Sequence, residues 1–136
     1  MTHQIRKTYA RVLTTDLDGT LQTLRALVGA EADFRVHFGR FDLALIGEFC
    51  VVAGAEEALA RYRGTVGPVI VADLAATFSL VEGTGAEVTV PPFDGPAGRG
   101  FLARHTDGVE FEYIEFSSDL AERLLDTEGV GARNEG

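Results

Sequence analysis

The fold is decided by two copies of one short pattern, Val12-Leu13-Thr14-Thr15-Asp16-Leu17 and Val69-Ile70-Val71-Ala72-Asp73-Leu74. Each copy is an apolar run suited to a strand, followed by an aspartate suited to cap the first turn of a helix. A threonine comes four residues after each aspartate, at Thr20 and Thr77, and the copies lie 57 positions apart, from 16 to 73. This spacing indicates that one supersecondary unit occurs twice in the chain.

The sequence around each copy extends the repeat. Apolar residues recur at helical spacing over 17–28 and 74–81, which predicts two helices that pack on a sheet, with stops at Gly29 and at Gly83 or Gly85. Three short strand patterns follow each helix, at 34–38, 41–46 and 49–53 in the first unit and at 86–90, 101–105 and 109–116 in the second. Each unit is therefore predicted to be strand–helix–strand–strand–strand.

The remaining segments are predicted to be connections. Residues 91–100, PPFDGPAGRG, are predicted to form a mobile ten-residue loop, either a binding loop or a plain crossing. Residues 117–126 resemble a helix capped near Asp119, and 127–136 resemble a frayed tail. The predicted organisation is a single domain over 1–116 (module one about 6–54, connector 55–64, module two about 65–116), then a C-terminal helix and tail over 117–136.

Composition excludes several classes of function. The 136 residues fit one domain, and the single cysteine, Cys50, excludes an internal disulfide and a cysteine-rich zinc site. Twelve basic residues against 21 acidic ones, a net charge of −9, argue against binding to nucleic acid or to an anionic membrane. With no apolar run long enough for a membrane helix and no signal sequence at residues 1–15, a cytoplasmic location is expected.

Two consecutive βαβββ units resemble the vicinal oxygen chelate superfamily, the group of glyoxalases, bleomycin-resistance proteins and extradiol dioxygenases. Residues 98–112 resemble that family's glycine–aromatic strand, its Asp-Gly turn and the following glutamate strand. The resemblance covers about 6–116. It implies an α+β fold in which two βαβββ modules form one half-open barrel, and it implies a homodimer.

The family name refers to a metal ion held by four side chains, one from each of four strands. Carried onto this chain by register, the resemblance gives Tyr9, Val52, Val66 and Glu112 at those positions. Only Glu112 is a good ligand for a divalent cation. We therefore expect the usual metal site to be missing, with no cofactor, which puts the metal-dependent reactions of the family in doubt.

Strand alternation predicts which side chains line the cup, that is, the hollow of the half-open barrel. The candidate catalytic residues are Glu112, Arg11 and Tyr9. For the second module, the prediction assumes that Asp107-Gly108 is a two-residue turn that places His105 opposite Glu110. The candidate ligand-binding residues are Leu13, Val52, Val66, Ile70, Phe101, Arg99, His105, Glu110 and Ile114.

Two interpretations of the charged residues stay open. Glu112 is either a general base that Arg11 or Tyr9 assists by stabilising an oxyanion, or a structural partner of Arg11 in a buried ion pair. His105 with Glu110 is either an acid–base pair or an exposed cross-strand pair, and the second interpretation is favoured.

Three functions remain. The first is a metal-independent relative of the glyoxalase and bleomycin-resistance proteins that binds a small, largely apolar organic molecule, by sequestration or for a lyase or isomerase step. The second is a lyase or dioxygenase with one divalent metal near Glu112, held also by Glu110, His105 and water. The third is a non-catalytic dimeric interaction module with a filled cup.

Overall fold

The computed structural model describes residues 3–126 and consists of two β-sheets with four helical segments in that part of the chain. The strands are β1 (Ile5–Thr8), β2 (Ala10–Thr14), β3 (Phe34–Phe38), β4 (Phe41–Ile46), β5 (Phe49–Ala53), β6 (Thr65–Val71), β7 (Glu87–Asp94), β8 (Gly98–Arg104) and β9 (Glu110–Phe116). The helices are α1 (Leu17–Val28), α2 (Glu56–Leu59) with a 3₁₀ turn after it (Ala60–Tyr62), α3 (Leu74–Gly83), and α4 (Ser118–Leu120), which continues as a π-helical segment (Ala121–Asp126).

The two sheets repeat one arrangement of strands. The first has the order β2-β5-β4-β3, and the second has the order β6-β9-β8-β7 with β1 added beside β6. In both sheets the first strand of the module runs parallel to its last strand, β2 to β5 and β6 to β9, and the other pairs are antiparallel. The predicted α+β fold of two βαβββ modules is confirmed. The N-terminal strand is divided, because β1 pairs in the second module and β2 in the first.

Both long helices begin at the aspartates of the repeated pattern. The Asp16 carboxylate accepts a hydrogen bond from the backbone N–H of Gly19, and the Asp73 carboxylate accepts one from Ala76, each at 3.0 Å. These bonds satisfy backbone donors that have no partner within the first turn of a helix. Helix α1 ends at Val28 and is capped by Gly29, whose φ of 80° is left-handed.

Residues 91–100 do not form the predicted ten-residue loop. Strand β7 continues through both prolines, and β8 already begins at Gly98, so that only residues 95–97 form the tip of a hairpin. Because β7 is the outer strand of its sheet, the missing proline N–H groups cost no bond to a further strand. The register shifts by bulges between Val88 and Val90 and between Val90 and Phe93.

The turn between β8 and β9 is longer than predicted, and the predicted register is therefore wrong by one residue. Glu110 lies opposite Arg104, not opposite His105. The N–H of Gly108 donates to the His105 carbonyl, and the N–H of His105 donates to the Val109 carbonyl, both at 2.8 Å. These bonds close the turn around residues 106–108, so the two-residue turn does not form.

The C-terminal helical segment closes one end of the space between the sheets. Its cap is Ser117, whose hydroxyl accepts from the N–H of Leu120 at 3.4 Å, and not the predicted Asp119. Leu120 and Leu125 are buried in the core between the sheets, and Arg123 donates to the Asp33 carbonyl of the first module at 2.8 Å. The predicted tail at 127–136 lies outside the described residues.

The sheets have a helix on one face and the cup on the other. Leu21 and Leu24 of α1 pack on the first sheet, and Leu74 and Val81 of α3 pack on the second. The opposite faces of the two sheets turn toward each other and form the cup. Among residues 3–126, no helix is both long enough and apolar enough to cross a membrane.

Candidate functional site

A cavity of about 270 Å³ lies in the cup between the two sheets. Six of the residues predicted from the sequence line it, namely Arg11, Leu13, Val52, Ile70, Glu112 and Ile114. Five aromatic residues, Phe38, Phe41, Tyr62, Phe93 and Phe116, add to its walls. The volume is close to the lower end of the range of about 300–1,000 Å³ typical of small-molecule sites, and apolar side chains dominate the lining.

The centre of the cavity lies where the two modules meet. Leu13 pairs with Val52 in the first module, as Ile70 pairs with Ile114 in the second. Two residues earlier along β5 and β9, the corresponding positions are Cys50 and Glu112. The counterpart of Glu112 is therefore Cys50, where the sequence prediction had placed Val52.

Arg11 and Glu112 form an ion pair at this centre. An Nη of Arg11 donates to Oε1 of Glu112, and the other Nη donates to the hydroxyl of Thr65. The two charged side chains are only 7% and 15% exposed, so the pair is largely removed from water. The guanidinium carbon lies 6.0 Å from the centre of the Tyr62 ring. The buried pair expected between Arg11 and Glu112 is thus present and faces the cavity.

Burial controls the protonation of the groups around the pair. It raises the pKa of Glu112, while the positive charge and the hydrogen bonds of Arg11 act in the opposite direction. Burial also raises the pKa of Tyr62, and the negative charge of Glu112 raises it further. Burial raises the pKa of the Cys50 thiol to about 12. Glu112 therefore has an increased affinity for a proton, and Cys50 remains a neutral thiol.

Tyr9 does not line the cavity. It lies between β1 and β2, is 6% exposed, and packs in the core between the sheets. Its ring centre is 6.3 Å from that of Phe116 and 5.2 Å from Nζ of Lys7. The division of the first strand after Thr8 turns the side chain away from the position that a continuous strand would give it.

The corrected register places Phe101 and His105 outside the cup. Phe101 packs on the helix side of its sheet, with its ring centre 5.1 Å from those of Phe78 and Tyr113. Nε2 of His105 lies 2.7 Å from the Tyr113 hydroxyl, so His105 has a partner on the same side.

Glu110 is also removed from the cavity by its partners. Arg61 donates two hydrogen bonds to its carboxylate, at 3.1 and 3.0 Å, and the Thr89 hydroxyl donates another. The Arg61 bond is the main cause that lowers the pKa of Glu110. Of the other two predicted ligand-binding residues, Val66 is 44% exposed, and Arg99 pairs with Asp94 at 3.3 Å.

The residues at the centre do not fit a divalent cation. Arg11, Cys50, Pro68 and Glu112 line the cavity from four different strands, but the guanidinium is itself positive and proline has no donor atom. Within residues 3–126, no three His, Cys, Asp or Glu side chains converge as a metal site would need. The irregular ligand set of Glu112, Glu110 and His105 is not brought together, since the last two bond elsewhere.

Tyr62 lines the cavity and was not among the residues predicted from the sequence, whereas residues 95–98, which also line it, belong to the segment that the sequence offered as a binding loop. Tyr62 follows a short helix in the connector, where no strand periodicity indicates a direction. The one available signal is an aromatic residue in an otherwise polar segment directly before β6.

Comparison with solved structures supports the fold described above. An uncharacterized protein from Methanosarcina mazei is 31% identical, with a TM-score of 0.78 over 85% of this chain and 95% of that chain. Methylmalonyl-CoA epimerase from Mycobacterium tuberculosis is 18% identical, with a TM-score of 0.71 over 90% of this chain and 95% of that chain. A Streptomyces coelicolor methylmalonyl-CoA epimerase variant in complex with 2-nitronate-propionyl-CoA is 19% identical, with a TM-score of 0.65 over 85% of this chain and 97% of that chain. No protein-family model and no curated protein matches the chain.

Proposed function

Because this chain belongs to the vicinal oxygen chelate superfamily, we propose that it binds a small, largely apolar organic molecule in the cavity between its modules, without a resident metal ion. The observation that carries the proposal is a cavity with apolar and aromatic walls around one charged pair, Arg11 and Glu112. Sites of this composition bury the apolar body of a ligand and orient it by a few polar groups.

The lining supports sequestration in the manner of the bleomycin-resistance proteins. Leu13, Val52, Ile70 and Ile114 face the cavity from four strands, two from each module. Burial of a ligand's apolar surface against these side chains contributes about 25 cal/mol per Å² to the free energy of binding. A cavity of about 270 Å³ between the sheets also favours a ligand-binding protein over an interaction module with a filled cup.

A catalytic role is the second candidate, and the raised pKa of Glu112 favours it. A carboxylate with increased proton affinity that faces an apolar cavity is suited to accept a proton from a carbon acid. The N–H groups of Arg11 would then stabilise the oxyanion that forms. The result would be a lyase or isomerase step, and two of the similar structures are epimerases.

Ligand binding is tested by thermal unfolding with aromatic antibiotics, thiol conjugates and keto acids. A compound at 100 times its Kd should add about 2.7 kcal/mol to the free energy of unfolding. Val52→Trp fills the cavity and should abolish this gain, while Leu27→Trp, at a position that is 75% exposed on α1, should retain it. Stabilisation that survives in Val52→Trp would contradict binding in the cavity.

Catalysis is separated from sequestration by deuterium exchange at the acidic carbon of a bound compound, followed by NMR in D₂O. An enzyme that uses Glu112 as its base should lose this exchange in Glu112→Gln, whereas a sequestering protein shows none in either form. Metal analysis of protein purified without chelator tests the alternative of a divalent metal near Glu112.

The proposal also includes pairing with a second copy and a cytoplasmic location. The first rests on the family resemblance, and light scattering of the purified protein tests it. The second is an expectation that cell fractionation tests.

A further inference from the structure

The centre of the cavity contains a positive charge that is part of the chain. Arg11 projects from β2 to the point where residues of β5, β6 and β9 also converge. In the metal-dependent members of this superfamily, four strands hold a cation between the modules. Here the guanidinium lies at the junction of the modules and bonds to Glu112 from β9 and to Thr65 from β6.

The guanidinium still has donors for a ligand. Of its five N–H groups, Glu112 and Thr65 occupy two in the part of the chain that the structure describes. Nε has no hydrogen-bond partner among the described residues, and no buried side-chain nitrogen or oxygen there lacks one, so Nε is not sealed in the protein interior. Arg11 lines the cavity, and a ligand bound there is a group that can accept from its free N–H.

We propose that the Arg11 guanidinium takes the place of the metal ion as the fixed cation of this site, and that it binds the oxygen of a neutral carbonyl compound. The inference rests on the proposed binding function and names the class of ligand. An apolar body fills the space between the sheets, and one carbonyl oxygen accepts a hydrogen bond from Arg11.

The pairing of Arg11 with Glu112 favours a neutral ligand over an anion. The carboxylate already compensates the guanidinium, so a second anion would bring an unbalanced charge into an apolar cavity. A carbonyl oxygen brings no charge and can use a free N–H. A ligand without any polar atom would leave that N–H without a partner, which is costly away from water.

The carbonyl preference is tested with acetophenone, ethylbenzene and benzoate, three probes of similar size that differ in one group. Titrations followed by NMR of the methyl signals of Leu13, Val52 and Ile70, which the variant below retains, should give an affinity for acetophenone that is about 5-fold higher than for ethylbenzene, with benzoate weaker than both. The variant Arg11→Met/Glu112→Leu removes both charges together and should lose this preference while it still binds ethylbenzene. Equal binding of acetophenone and ethylbenzene would refute the role of Arg11 and leave the proposed function intact. Failure of both to shift any cavity resonance would contradict both.

The second part of the inference is tested with Co²⁺ and needs no organic ligand. The wild-type protein should bind no stoichiometric Co²⁺ in calorimetry. Arg11→His removes the resident charge and adds a donor beside Cys50 and Glu112, so it should bind one Co²⁺ and show a thiolate–cobalt absorption band. The control Arg11→His/Glu112→Gln should lose this binding. Stoichiometric Co²⁺ in the wild-type protein, or none in an Arg11→His variant whose circular dichroism is unchanged, would overturn the assignment of Arg11 to the cation position.

Discussion

Replacement of Arg11 by methionine should destabilise the protein by about 3 kcal/mol at pH 7, because it leaves the Glu112 carboxylate without its partner. The two side chains are only 7% and 15% exposed, so water does not compensate. Protonation of Glu112 limits the cost. The ordinary pKa of this carboxyl is 4.5. Keeping it protonated at pH 7, about 2.5 pH units above that value, costs about 3.4 kcal/mol, which is the upper limit of the destabilisation.

The pH dependence of this effect has a defined sign. Burial holds the pKa of Glu112 above its value in the unfolded chain, so its contribution to stability is complete below pH 4.5 and is lost as the pH rises through the folded-state pKa. Without Arg11, that pKa rises further. The loss in Arg11→Met should therefore shrink on acidification, to a limit of about 0.7 kcal/mol at pH 5.

Urea unfolding at pH 7 and pH 5 measures both quantities. The double variant Arg11→Met/Glu112→Leu should remain within about 1 kcal/mol of the wild type at either pH, since it removes the pair as a whole. Arg25→Met is the matched surface control, because Arg25 pairs with an exposed Glu31 and should lose less than about 1 kcal/mol. A loss in Arg11→Met of under about 1 kcal/mol at pH 7, or an equal loss at both pH values, would refute this account of the pair.

Three further predictions concern other parts of the structure. Cys50, with its pKa raised to about 12, should resist iodoacetamide at pH 8 in the folded protein and react once urea unfolds it; rapid labelling would contradict its burial. Gly98→Ala should destabilise by about 2 kcal/mol or more in urea, because φ is +152° and a Cβ would lie 2.0 Å from a carbonyl oxygen. Gly83→Ala, with open space around it, should gain about 0.5 kcal/mol, and equal effects of the two would argue against the close approach at Gly98. Arg61→Leu should cost about 1 kcal/mol at pH 7. The cost should shrink below pH 4.5, because the stabilisation from the lowered pKa of Glu110 is complete above that value and is lost as the pH falls through the folded-state pKa. A cost that does not shrink on acidification would show another cause.

The duplication, the helices and most strands could be predicted because each rests on local periodicity. Strands β3, β4 and β5 have the predicted bounds, since apolar residues there lie between clear glycine turns. The aspartate caps could be predicted for the same reason. The pair of Arg11 with Glu112 followed from strand alternation, because both residues lie on stretches whose direction is set by buried neighbours.

The predictions failed where a shift of one residue determines which face of a sheet a side chain occupies. A turn that is one residue longer than expected changes the pairing partner of every residue in the hairpin, which is why Phe101 was assigned to the cup although it packs under α3. Tyr9 was misplaced because nothing local shows that the first strand divides between two sheets. Tyr62 was missed because a connector has no period from which its direction can be derived.

The strand β1 has a consequence for the order of assembly during synthesis. Strand β1 pairs with β6, up to Val71, and β6 in turn pairs with β9, which ends at Phe116. Strand β1 is thus made well before its neighbour, and it stays without that partner while the residues between Thr8 and Thr65 are translated. Contacts between such distant positions slow folding, and they tie the two halves together, so that neither repeat is complete as an independent unit.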